Sequence, residues 1–212
     1  MSADTTDAVL RWWWVRHAPS AGAGNIIHGT DDSPADLSDA DAISRVAKLL
    51  PTDAMALTSG VARAAQTYAA FRQIKPDLAA SHTDSDLDEQ DFGDWTGRNW
   101  DEIRALTQRF WKDPIATSPP GGESYNAMCT RVQRCVKART NVARRGSVIA
   151  VAHAGPIRAA LALALDMSLA ASIRFEIDLL SITRIDAILS DTGIAWRVRG
   201  VNYRATNPAD AL

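Results

Sequence analysis

Cysteine is scarce in this 212-residue chain: only Cys129 and Cys135 are present, at a spacing that makes neither a metal-binding nor a redox motif. A reduced, intracellular protein is the expectation, and both thiols fit the buried face of one helix. Long apolar runs are also missing. The stretch Ile157 to Leu165 is far shorter than a bilayer crossing requires, so no membrane partner is expected. Neither sign of charge is in excess: 23 Lys and Arg face 25 Asp and Glu, giving a net charge of −2 and a pI of about 6.1. That balance removes the electrostatic case for binding nucleic acid or an anionic membrane. The opening MSADTTDA lacks a basic segment followed by an apolar core, so it does not read as a signal peptide. Residues 1–8 are expected to be a frayed tail on a cytoplasmic protein. No internal repeat divides the chain, and its length suits a single domain, 1–212, with ample core.

What the chain does have is a short, dense apolar strand. Leu10 to Val15 (LRWWWV) is apolar apart from Arg11 and runs directly into Arg16-His17-Ala18-Pro19. A run this short and apolar reads as a strand buried on both faces, as in a parallel sheet covered by helices. In such open sheets ligands collect beyond the carboxyl ends of the strands, where Arg16 and His17 stand. A second apolar strand, Ser147 to Ala152, ends in His153-Ala154-Gly155-Pro156 and leads into a helix with Pro in its first turn.

The remaining pattern alternates strands with helices. A Gly-, Asp-, Ser- and Pro-rich loop spans 20–36, and long loops in compact domains are usually functional. Ser38 reads as the N-cap of a helix from about Asp39 to Leu50. A strand over Ala54–Thr58 precedes a helix that runs through Phe71, and 78–87 has room for a third short strand. A loop over Asp88–Gly97 leads to one helix, Asn99–Lys112, and a second breaker-rich loop follows over 113–123. The clearest helix is Ser124–Arg144, with a stripe of Tyr125, Met128, Cys129, Val132, Cys135, Val136 and Val142, and Gly146 placed as its C-cap. Two alternating runs, Ser181–Leu189 and Ala195–Tyr203, read as an antiparallel hairpin at the sheet edge. Together these predict a three-layer α/β/α fold with a mostly parallel sheet.

Two apolar strands of one sheet that each end in His bring both imidazoles to the same edge. Arg63, on the first turn of the helix after Ser59-Gly60, and a carboxylate from the loop at Leu87-Asp88-Glu89 join them. Two His, two Arg and a carboxylate suit a phosphate dianion, which guanidinium groups grip with paired hydrogen bonds and helix N-termini with backbone N–H groups. Each residue alone has a plainer role: His153 as a packed core histidine, Arg63, Arg72 and Arg104 as surface residues. Asp86, Asp88 and Asp91 compete with Glu89 as the acid. His28 and His82 have no partners at metal-ligand spacing, and neither a metal nor a cofactor is expected. The tryptophans read as packing residues, with Trp95 and Trp100 placed to line one wall of a pocket.

These residues resemble the histidine phosphatases, the phosphoglycerate mutase-like superfamily, over nearly the whole chain from Leu10 to Arg204. The motif elements, in order, are Arg16-His17-Ala18; Ser59, Arg63, Ala64 and Thr67; Leu87 and Glu89 followed by Gly93, Trp95 and Gly97; Gly122-Glu123-Ser124; and His153, Gly155 and Arg158. The resemblance implies metal-independent hydrolysis of a small organic phosphate through a phosphohistidine. His17 would be the nucleophile, Arg16, Arg63 and His153 would stabilise the transferring oxygens, and Glu89 would be the proton donor. Ser20, Ala154, Gly155 and Asn25 are the further candidate substrate-binding residues, while Arg158 is expected to brace the site and Glu123 to be structural. The Arg-His-Ala-Pro opening and the stretch Asp91 to Trp95 look most like the α-ribazole phosphatase branch, which implies α-ribazole 5′-phosphate as a substrate.

There are departures from the family pattern. Ala18 replaces the usual Gly, Pro19 stands where mutases carry Glu or Gln, and Asn25 is displaced by two residues from the usual phosphate-binding Asn. Competing readings are a phosphoglycerate mutase, a non-catalytic phosphate-binding or interaction module, and a phosphatase of phosphorylated protein. The first is disfavoured because no longer, basic insertion follows the acid, the second because all five reactive groups are present. The third is disfavoured because the two long loops would roof the site.

Overall fold

Alternation along β1 (Ala8–Arg16) fixes the architecture. Leu10, Trp12 and Trp14 enter one buried cluster, while Trp13 and Val15 enter another on the opposite face. The computed structural model describes residues 8–22 and 24–205. The further strands are β2 (Ala54–Thr58), β3 (Ser81–Thr83), β4 (Gly146–Ala152), β5 (Ile182–Ser190) and β6 (Gly193–Tyr203). They form a six-stranded sheet in the order β3-β2-β4-β1-β5-β6. β1 pairs with β4, β4 with β2 and β2 with β3 in parallel, whereas β5 and β6 join antiparallel.

The main helices are α1 (Ala40–Leu49), α2 (Ala62–Ile74), α3 (Trp100–Leu106), α4 (Gln108–Lys112), α5 (Tyr125–Ala143), α6 (Ala154–Ala164) and α7 (Leu169–Ser172). α5 and α6 cover the Trp12 and Trp14 face, and α1 and α2 cover the face of Trp13 and Val15, giving three layers. Trp12 and Trp14 stack with centroids 5.3 Å apart, and the Trp12 indole donates to the buried Thr140 hydroxyl on α5 at 3.0 Å. A third small cluster, Ile27, Trp95, Ile103 and Phe110, packs the loop over 20–36 against α3 and α4. No described helix is long and apolar enough to cross a membrane.

Local departures from the expected elements have identifiable causes. The expected tail over 1–8 lies outside the described residues except for Ala8, which pairs with Leu189 as the first residue of β1. α1 is capped by Asp39, which accepts from the Ala42 N–H, so Ser38 lies one residue before the cap. The single helix expected over Asn99–Lys112 breaks at Thr107, whose hydroxyl donates back to the Ile103 carbonyl at 2.6 Å. Val142 is 84% exposed rather than part of the α5 stripe. At about 100° per residue the stripe continues from Val136 through Thr140, and Val142 falls on the outer face. The end of α5 is turned by Arg144 at φ 56°, with Gly146 at φ 101° opening β4, so Gly146 is not the cap itself.

Candidate active site

The parallel pairing of β1 with β4 sets Arg16 beside Ala152, so the residues that follow, His17 and His153, emerge together. The His17 N–H donates to the Ala152 carbonyl at 3.0 Å. The two rings stand 4.8 Å apart, centroid to centroid, with planes inclined by 58°. Both side chains are buried. Arg63, from the first turn of α2, reaches between them: its Nε lies 3.3 Å from His17 Nε2 and its Nη2 3.3 Å from His153 Nδ1.

This geometry assigns the imidazole protons. A guanidinium carries donors only, so the nitrogens facing Arg63 must carry lone pairs. The proton of His17 then sits on Nδ1 and is donated to the Ala18 carbonyl, while that of His153 sits on Nε2 and is donated to Ser59 Oγ at 2.8 Å. Burial and the neighbouring Arg63 and Arg16 pull His17 down to about 3. Burial, with His17, Arg63 and Arg16 beside it, holds His153 well below the ordinary histidine range. Both rings are therefore neutral near pH 7.

Arg63 is almost fully buried and is held by the carbonyls of Asp31 and Gly29 and by the Asp31 carboxylate at 3.1 Å. Arg16 donates Nη1 to the Ile177 carbonyl at 2.6 Å, and its buried Nε has no protein partner. Desolvation lowers the pKa of both arginines, an effect that the Glu89 carboxylate opposes. A cavity of about 510 Å³ opens over this group and is lined by Arg16, His17, Arg63 and Glu89.

The four carboxylates that compete as the acid separate cleanly. Asp86 pairs with Arg134, Asp88 accepts from the Gly60 N–H, and Asp91 accepts from the Gly93 N–H. Glu89 alone of the four lines the cavity, accepting from the Gln90 and Gly155 N–H groups at 3.0 and 3.4 Å. Gly155 has no spare room: a Cβ there would collide with Glu89 Oε1 and approach Met128 Cε to 3.0 Å. Of the other expected contact residues, Ser20, Ala154 and Gly155 line the cavity. Asn25 lines it as well, with its amide committed to Asp101 at 2.7 Å. Arg158 also reaches the lining and braces the Phe175 carbonyl through Nε at 2.8 Å.

Some residues around the site escaped the sequence reading. His28 was considered only as a metal ligand, yet it lines the cavity, with Nδ1 3.1 Å from Asp31. Trp100 lines the cavity, whereas Trp95 is buried against Phe110. Ser124 is the cap of α5, and Glu123 before it receives Arg131 Nη2 at 2.6 Å and the Asp91 N–H. Arg131 also donates to the carbonyls of Asp86, Asp88 and Glu89, each at 2.9 Å, and so fixes the loop that carries Glu89. No signal in the sequence marked it, because these acceptors are main-chain atoms.

The family model described as histidine phosphatase superfamily (branch 1) matches residues 12–201. The chain belongs to the histidine phosphatase superfamily. The bifunctional protein Rv2228c of Mycobacterium tuberculosis is 36% identical over 104 residues, covering 47% of this chain and 28% of that protein. A 2,3-bisphosphoglycerate-dependent phosphoglycerate mutase of Mesorhizobium japonicum is 33% identical over 120 residues, covering 53% of this chain and 57% of the mutase. The chain thus spans 28% and 57% of the length of these two curated relatives. An α-ribazole phosphatase structure from Shigella flexneri superposes with a TM-score of 0.76 at 22% identity, covering 93% of this chain and 98% of that one, a likeness of fold.

Proposed function

We propose that this histidine phosphatase superfamily member is a metal-independent phosphomonoesterase acting through a phosphohistidine at His17. The observation that carries the reading is the orientation of His17: its proton is held by the Ala18 carbonyl, leaving the Nε2 lone pair beside Arg63 at the cavity floor. A neutral imidazole with an unprotonated nitrogen toward the substrate site is a competent nucleophile without prior deprotonation.

In the first step Nε2 attacks phosphorus, the P–O bond to the alcohol breaks, and protonated Glu89 gives its proton to the leaving oxygen. In the second, Glu89 as carboxylate takes a proton from water, the water oxygen attacks phosphorus, and the P–N bond breaks to release phosphate. Arg16 and Arg63 lie in place to receive the negative charge of the transferring oxygens, and Arg16 Nε has no protein acceptor to compete. His153, neutral and anchored by Ser59, adds polarity without a permanent charge. Every group this chemistry needs is an organic side chain. Among the described residues no cluster of His, Cys, Asp and Glu has the make-up of a metal site.

The test is a screen of purified protein against phosphorylated metabolites, including sugar phosphates, 3-phosphoglycerate and α-ribazole 5′-phosphate, the substrate that the opening motif suggests. Release of phosphate unaffected by EDTA, loss of it in His17→Ala, and an acid-labile phosphoryl label on the wild-type chain are the expected results. Loss of activity to EDTA, or isomerisation of phosphoglycerate in place of phosphate release, would overturn the reading.

A further inference from the structure

Much of the cavity lining has no part in the proposed phosphate chemistry. Besides Arg16, His17, Arg63 and Glu89, its walls carry Phe92, Trp100, Phe110, Trp111, Ile26 and Ile173. The aromatic rings brace one another edge to face, Phe92 with Trp100 at 5.3 Å and Phe110 with Trp111 at 5.1 Å. Trp111 and Ile173 remain 38% and 37% exposed, so large apolar surface is left to water at the border of a polar site. Such surface marks a place that a ligand covers.

The charges in the lining are equally selective. They are Arg16, Arg63, Arg158 and Glu89, with no lysine. Arg158 spends its Nε on the Phe175 carbonyl. Arg104, over the Trp111 ring, does not line the cavity and has Asp101 beside it. Of the polar side chains in the lining, Asn25 is committed to Asp101, Gln90 to the Glu123 carbonyl and His28, through Nδ1, to Asp31. A second anionic group packed against these rings would lose its hydration without gaining a partner from them.

Resting on the phosphomonoesterase reading, we propose that the alcohol part of the substrate is uncharged and apolar, packed against the wall formed by Trp100 and Trp111. Simple n-alkyl monophosphates from ethyl to octyl isolate this effect, because their leaving alcohols differ little in reactivity. The expected result is a kcat/KM that rises roughly two- to fourfold per methylene while the chain is being buried. Glycerol 3-phosphate and 3-phosphoglycerate should fall below ethyl phosphate. The non-hydrolysable n-alkyl phosphonates should show the same slope in Kd, read by tryptophan fluorescence, and Trp100→Ala should flatten it while Trp100→Phe retains most of it. A flat series in both measurements, or 3-phosphoglycerate outrunning octyl phosphate, would overturn the proposal and leave the hydrolytic reading standing. A clear phosphonate slope with no turnover of any ester would support the apolar wall and sink the hydrolytic reading instead.

Discussion

Arg63 Nε points at His17 Nε2 from 3.3 Å, a cation facing a lone pair rather than an acid facing a base. The contact sets the tautomer of the proposed nucleophile and opposes its protonation. The same guanidinium opposes protonation of His153 from the other side. The site therefore accumulates donors and positive charge in a buried place, an arrangement that an anion relieves.

Acid should destabilise the fold through these histidines. His17 titrates at about 3 in the folded chain against about 6.5 when unfolded. Between those values the unfolded state binds the proton that the folded state refuses, so stability falls as pH falls through that window. At pH 4.5 the loss from His17 is about 3 kcal/mol relative to pH 7, at about 1.4 kcal/mol per pH unit. His153 acts in the same direction. Urea unfolding at pH 7 and 4.5 measures it, and His17→Asn should lose distinctly less on acidification. An equal loss in both proteins would refute the assignment.

Gly155 should resist even a methyl group. The Cβ of alanine would occupy the space of Glu89 Oε1, and the carboxylate would have to swing away. Displacement of a catalytic group by about 1 Å can cost about 100-fold in rate. Gly155→Ala should therefore lower kcat by one to two orders of magnitude while the helix, which tolerates alanine well, keeps its melting temperature near wild type. Wild-type turnover in this variant would remove Glu89 from the proposed chemistry.

The bond between Trp12 and Thr140 offers a stability probe away from the site. Thr140→Val keeps the shape but leaves a buried indole N–H without its acceptor. Stranding such a donor costs about 1–3 kcal/mol. Chemical denaturation should show that loss, with the kinetics of the proposed phosphatase reaction unchanged. A neutral substitution would mean that the indole finds another acceptor.

Much of the fold was legible because both faces of β1 and β4 are buried: the runs from Leu10 to Val15 and from Ser147 to Ala152 leave little alternative to a covered parallel sheet. The meeting of His17 and His153 follows from that pairing, since each stands just past the end of its strand. The identity of the carboxylate in the cavity was not legible from residue type alone. Asp86, Asp88, Glu89 and Asp91 differ in where the loop turns them, and only the family pattern singled out Glu89 beforehand. The helix break at Thr107 and the outward-facing Val142 depend on one hydroxyl and on helical phase, which a hydrophobic stripe does not resolve. The aromatic wall was half visible, through Trp100, because sequence shows that tryptophans are present but not which rings face the cavity.

Arg131 should control Glu89, the proposed acid, from a distance. One guanidinium serves the carbonyls of Asp86, Asp88 and Glu89 as well as the Glu123 carboxylate, a spread that its planar fork of donors can span. Lysine has fewer donors, gathered at one point, and cannot reach all of these acceptors. Arg131→Lys should thus behave much like Arg131→Met: the loop holding Glu89 loosens, kcat falls about tenfold or more, and KM for a phosphomonoester changes little because Arg16 and Arg63, the proposed phosphate ligands, are untouched. Hydrogen exchange at the amides of Glu89 and Gln90 should quicken in both variants. Rescue of kcat by lysine would show that charge alone holds the loop, and a rise in KM without a fall in kcat would place the effect of Arg131 on substrate binding instead of on the acid.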